Sequence, residues 1–119
     1  MKIIHASLGT FLDEVKTGGT AVRVAALMQS TTQGTAAPLY ASWIVVTASL
    51  DGGGWAEWRL LVGRQQAELT ARSFGVPSRL ARLTEERLAD VRRRVEATGL
   101  PMADGILAHD AETVDGVLG

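Results

Sequence analysis

The sequence contains no cysteine among its 119 residues, so it can form neither a disulfide framework nor a thiolate metal site. A cysteine nucleophile is excluded for the same reason. A chain without disulfides fits a reducing compartment, and we expect a cytoplasmic protein. The two histidines, His5 and His109, have no second ligand at metal-binding spacing, so we predict no metal site.

Long apolar runs are also missing. The N-terminal stretch MKIIHASLGTF is short and broken by His5, which is not typical of a signal peptide, and no window approaches a membrane span. A net charge of −1 argues against bulk non-specific binding of nucleic acid. The glycines of the run Asp51–Gly54 are not followed by Gly-Lys-Ser/Thr, so they do not indicate a phosphate loop, and we predict no cofactor.

The composition nevertheless suffices for a core. With 46% hydrophobic residues in 119, the chain can form one domain over residues 1–119 without covalent staples. Charge is uneven, because residues 95–119 carry five acids and no base. We therefore predict that residues 109–119 form a flexible acidic tail.

The segment from Leu39 to Val62 indicates a β-hairpin. Its first half is rich in β-branched and aromatic residues, and its second half alternates apolar and polar residues up to Gly63, which is predicted to end the strand. The sequence Asp-Gly-Gly-Gly at 51–54 supplies the turn, because glycine adopts positive φ without a steric penalty. Residues 20–31 alternate in the same way, which predicts a further strand before the hairpin.

Two helices are predicted around these strands. Ser7 is a candidate N-cap for a helix that ends at Gly18 and Gly19, and Thr84 is a candidate N-cap for a helix that ends at Gly99 and Pro101. Residues 78–83 fit either an extra turn of the second helix or a separate short helix. Residues 64–74 fit either a third helix or an extension of the strand, and short strands at 2–5 and 106–108 are also expected.

The predicted fold is an α+β domain, in which an antiparallel β-meander of three main strands has two to three helices on one face. One set of sheet residues should face the helices: Ala26, Met28, Ile44, Val46, Trp58, Leu60 and Val62. The helix residues expected to meet them are Phe11, Leu12, Val15, Leu88, Val91 and Val95.

The other sheet face is the predicted partner-binding surface. It should carry Leu27, Trp43, Val45, Trp55, Arg59 and Leu61. So much exposed apolar area is unusual in a monomer, and aromatic residues with arginine are enriched at protein interfaces. We expect a small non-enzymatic module that forms a homodimer or docks onto a larger protein. A single domain of this kind also suits an accessory or inhibitor protein of a phage or mobile element.

Two alternatives belong to other classes of function. A nucleic-acid-binding protein would use the arginine-rich C-terminal helix, with Arg79, Arg82, Arg87, Arg92, Arg93 and Arg94. Charge order alone also explains these arginines, since cations near a helix C-terminus are stabilising. A small enzyme with a pocket between sheet and helices would draw on strand acids, Glu57 first, although no catalytic set of residues is identified.

Overall fold

The computed structural model describes residues 2–3, 7–31, 39–66 and 78–103. Within these residues the chain has an α+β fold, with a three-stranded antiparallel sheet, a short additional strand and two helices. The elements in chain order are β1 (Lys2–Ile3), α1 (Leu8–Gly18), β2 (Gly19–Thr31), β3 (Leu39–Leu50), β4 (Trp55–Gln66) and α2 (Arg79–Glu96).

β3 is the central strand of the sheet, whose order is β1-β4-β3-β2. It pairs antiparallel with β2 on one edge and with β4 on the other. The predicted turn at 51–54 is confirmed, with positive φ at Gly52 and Gly53. β1 pairs with the outer edge of β4, and it runs parallel to that strand.

Both helices pack on the same face of the sheet. One cluster of buried side chains joins Phe11 and Val15 of α1 with Val91 and Val95 of α2, above Ile44 and the strand residues around it. The predicted inward set is confirmed for the β3 and β4 residues, but Ala26 is exposed. Val24 and Val22, two and four residues earlier on the same side of β2, are buried in its place.

The start of α1 confirms Ser7 as its N-cap, because the hydroxyl oxygen of Ser7 accepts from the backbone N–H of Thr10 at 3.2 Å. The helix passes directly into β2 at Gly19, which has an extended rather than a left-handed backbone. A Cβ atom on Gly19 would lie 2.5 Å from the carbonyl oxygen of Val15. Glycine is therefore required here by close approach of the backbone.

The start of α2 corrects the prediction that Thr84 caps the helix. Ser78 is the N-cap, and its hydroxyl oxygen accepts from the backbone N–H of Ala81 at 2.9 Å. Thr84 instead lies inside the helix, buried against the sheet. A serine cap six residues earlier lets Leu80 join the buried side of α2, which a start at Thr84 would have lost.

The end of β4 corrects the prediction that Gly63 terminates the strand. β4 continues to Gln66, with a register shift opposite Ser42 and Trp43. Gly63 lies under α2, where a Cβ atom would stand 3.1 Å from the Cδ1 atom of Leu80. Glycine at this position of the strand therefore leaves space for the Leu80 side chain of α2. The residues Arg64–Gln66 belong to the strand and not to a helix.

Several predictions fall outside the described residues. They concern the rest of the candidate third helix, the short strand at 106–108, the tail at 109–119, and both histidines.

A buried pair of hydroxyl groups links the central strand to α2. The oxygens of Ser42 and Thr84 lie 2.7 Å apart, and the Thr84 hydroxyl also lies 2.7 Å from the carbonyl oxygen of Leu80. A carbonyl oxygen only accepts, so Thr84 donates to Leu80 and Ser42 must donate to Thr84. The direction of both hydrogen bonds is thereby fixed.

This direction predicts unequal effects of removing either hydroxyl. Thr84→Val leaves the buried Ser42 donor without an acceptor and should lower the free energy of unfolding by about 1–3 kcal/mol. Ser42→Ala leaves Thr84 bonded to Leu80 and should cost less, about 0.5–1.5 kcal/mol. Urea denaturation of both variants and of the double variant checks this. The double variant should be more stable than Thr84→Val alone, and equal losses in the two single variants would contradict the assigned direction.

Candidate functional site

The second face of the sheet is the one that points away from α1 and α2. Pairing between strands arranges its side chains in rows across β2, β3 and β4. Arg23, Thr47 and Glu57 form one such row. Leu27, Trp43 and Leu61 form another, four residues further along each strand, and we call it the apolar row.

Burial on this face differs strongly from one end to the other. Val45 and Trp55 are only 2% and 4% exposed, which corrects the expectation that they contribute exposed apolar surface. Leu27, Trp43 and Arg59 are half-buried, and Leu61 is 36% exposed. Leu61 is the exposed large hydrophobic residue of the part of the chain that the structure describes. Val45 and Trp55 are therefore too buried to contact a partner, and the apolar row is the part of the predicted binding surface considered below.

Trp43 adds a polar group to the apolar row. Its indole Nε1 atom is buried and has no hydrogen-bond partner within the described ranges. A buried N–H group without an acceptor costs about 1–3 kcal/mol, so a rearranged or docked state that supplies an acceptor would be favoured.

Glu57 is the most unusual side chain of the second face. It is 0% exposed, and neither carboxylate oxygen has a hydrogen-bond partner among the residues described. Burial raises the pKa of Glu57, because the charged form loses its hydration, and the nearby Arg59 offsets part of this increase. The alternation of apolar and polar residues along β4 does not predict this burial of Glu57.

A buried carboxyl group with a raised pKa is also a candidate general acid or base. Such a role needs a second reacting or orienting group within hydrogen-bond reach. On the described part of the second face, Glu57 is the sole acid and no histidine accompanies it. The neighbouring row members, Arg23 and Thr47, do not complete a catalytic set.

The six arginines of α2 are all exposed, but they do not form one patch. Successive residues of an α-helix are rotated by about 100°. Arg87 and Arg94 therefore lie on one side of α2, Arg92 lies on the opposite side, and the remaining three, Arg79, Arg82 and Arg93, point away from the sheet. Arg93 is paired with Asp90 at 3.0 Å. This distribution is that of a solvated helix, as charge order alone predicted.

The described residues contain no group of three or more acidic or histidine side chains arranged to hold a metal ion. None of the helices described is long and apolar enough to cross a membrane. Comparison of the chain with protein-family models, with curated proteins and with solved structures finds no match.

Glu57 generates a prediction about pH. Its raised pKa means that the folded state retains a proton which the unfolded state releases. Stability should therefore fall as pH rises from the ordinary pKa of glutamate through the raised value, and remain lower above it. Glu57→Gln keeps the shape without the charge and should remove this loss.

Denaturant unfolding of the wild type and of Glu57→Gln across this pH range measures the effect. The difference in the free energy of unfolding between the two proteins isolates Glu57 from other titrating groups. Glu57→Gln should be the more stable protein at neutral pH. A wild type that gains stability relative to the variant as pH rises would show that the carboxylate is satisfied in the folded chain.

Proposed function

We propose that the protein is a non-enzymatic binding module whose sheet docks through the apolar row, with a second copy of the chain as its partner. The observation that supports this is the alignment of Leu27, Trp43 and Leu61 across three adjacent strands, with Leu61 exposed. The row is continuous because each residue pairs directly with the next. Covering it would contribute about 25 cal/mol per Å² of apolar area before the costs of association.

The charges beside the apolar row favour a symmetric partner. Arg59 and Arg64 lie on the same face of β4, to either side of Leu61, whereas their partners across the sheet on β2, Ala25 and Gln29, are uncharged. A twofold axis parallel to the strands would place β4 of one copy over β2 of the other. The arginines of the two copies would then face uncharged side chains, and Leu61 would meet Leu27.

Packing of two sheets through a shared apolar row also agrees with the position of the helices. α1 and α2 lie on the opposite face of the sheet, so they do not cover Leu61, the exposed member of the apolar row. Two sheets packed face to face lie about 10 Å apart, with interleaved side chains. Trp43, in the middle of the apolar row, would occupy the centre of such an interface, where large aromatic residues contribute most to binding.

Replacement of Leu61 by glutamate should give a folded monomer, because a charge in the apolar row would be buried without a partner in the dimer. Light scattering across a concentration series measures the mass of the wild type and the variant. The matched control is Ala89→Glu, which adds the same charge at an exposed position of α2. The wild type and the control should be dimers.

Three results separate the alternatives. A wild type that stays monomeric at every concentration would overturn self-association. A dimer that persists in Leu61→Glu would place the interface elsewhere on the molecule. A dimer lost equally in Leu61→Glu and Ala89→Glu would indicate an effect of net charge rather than of the apolar row.

A further inference from the structure

A cleft lies between α1 and the C-terminal end of α2, on the helical side of the molecule and away from the apolar row. Its volume is about 310 Å³, and its lining includes the charged residues Asp13, Lys16 and Arg94. This volume is at the lower end of the range for small-molecule sites. The cleft is largely open to solvent, so a small ligand bound there would stay partly exposed.

Among the residues that the structure describes, the three charged groups of the cleft have no ion-pair partners. Within the described residues, Asp13, Lys16 and Arg94 take part in no salt bridge, although Asp13 and Lys16 are one helical turn apart. By contrast, Arg93, the residue before Arg94, is paired with Asp90. Two cations and one carboxylate are thus left available at the same concave surface.

Small residues shape the cleft around these charges. Gly9 leaves the first turn of α1 open, and the Nη2 atom of Arg94 lies 3.5 Å from the position that a Cβ atom of Gly9 would occupy. The guanidinium group therefore lies beside the first turn of α1 while it stays exposed to solvent. On the other wall, the hydroxyl of Thr98 donates to the carbonyl oxygen of Val95 at 2.6 Å and accepts from the N–H of Leu100 at 3.2 Å.

We propose that this cleft binds a small zwitterion. Arg94 and Lys16 hold its phosphate or carboxylate group, because charge-assisted hydrogen bonds to these anions are strong and a guanidinium binds them with two parallel donors. Asp13 faces its ammonium group. Lys16 and Arg94 together with Asp13 give the cleft a net charge of +1, which suits a ligand with an anionic group at one end and an ammonium group at the other.

Two probes of matched length distinguish the anionic group. O-Phosphoethanolamine and β-alanine both carry an ammonium group two carbons from the anion, and the first has a phosphate where the second has a carboxylate. Titration of the ¹⁵N-labelled chain, followed by NMR, should show saturable shifts at Gly9, Asp13, Lys16 and Thr98 with one of them. We expect a dissociation constant of about 1 mM or lower.

Variants on the two sides of α2 test the assignment. Arg94→Ala and Lys16→Ala should each weaken binding about tenfold, as expected for the loss of one charge-assisted hydrogen bond. Arg92→Ala, which removes an arginine from the opposite side of α2, should leave the affinity unchanged. Asp13→Asn should weaken binding of the zwitterion but not of inorganic phosphate. Gly9→Leu should abolish binding of both probes by filling the cleft without a change of charge.

The proposal is overturned if neither probe gives saturable shifts up to about 50 mM, a concentration at which binding free energies are negligible. It is also overturned if Arg92→Ala weakens binding as much as Arg94→Ala, since the effect would then reflect total charge. The ¹⁵N spectrum of each variant reports folding directly, so loss of binding is counted only for variants with the dispersed signals of the wild type. Neither outcome depends on the oligomeric state of the protein.

Discussion

Backbone pairing of the central strand is the constraint on which the rest of the structure depends. β3 is paired along both edges, with β2 and with β4, so its amide and carbonyl groups are satisfied within the sheet. Its side chains, however, are apolar on both faces, with Ile44 and Val46 on one and Trp43 and Val45 on the other. A strand of this kind is stable only when both faces are covered. The helices cover one face, and on the other face Val45 and Glu57 are buried while Leu61 is exposed.

The second face divides into two regions with different chemistry. Glu57 and the apolar row are four residues apart along the strands, which is about 13 Å at the rise of a β-strand. Glu57 is already buried within the chain, so a protein docked on Leu61 would not contact its carboxyl group directly. The buried acid is expected to affect the pH dependence of folding, whereas association is proposed to depend on the apolar row, so substitutions should alter one property without the other. The cleft between α1 and α2 lies on the far side of the sheet from both.

The sequence predicted the main elements of the fold because their signals are local. Alternation over residues 20–31, the glycines at 51–54 and the Ser7 cap each act over a few residues, and the structure agrees with them. The errors arose where tertiary contacts decide. Ser78 and Thr84 are both good caps in isolation, and only the packing of Leu80 on the sheet distinguishes them. Gly63 has the sequence properties of a strand terminator, but its role in the structure is to leave space for Leu80 of α2.

The candidate sites were harder to predict for the same reason. Glu57 alternates with apolar neighbours as a solvent-facing residue would, and its sequence context does not indicate that it is fully buried. The arginine run at 92–94 is conspicuous in the sequence, but helical rotation separates its members. Arg94 becomes distinctive only because α1 supplies Gly9 and Lys16 beside it, residues that are more than seventy positions away in the chain.

The hydroxyl pair of Ser42 and Thr84 has a further consequence for how the chain selects one alignment of its strands. Because β3 is apolar on both faces, hydrophobic burial alone would tolerate a slip of one residue, which exchanges the two faces. Such a slip would place Ala41 or Trp43 beneath Thr84. Ala41 has no donor, and the indole of Trp43 is far too large for the space that the Ser42 side chain occupies there. One small polar contact thus discriminates between two arrangements that the apolar side chains scarcely distinguish.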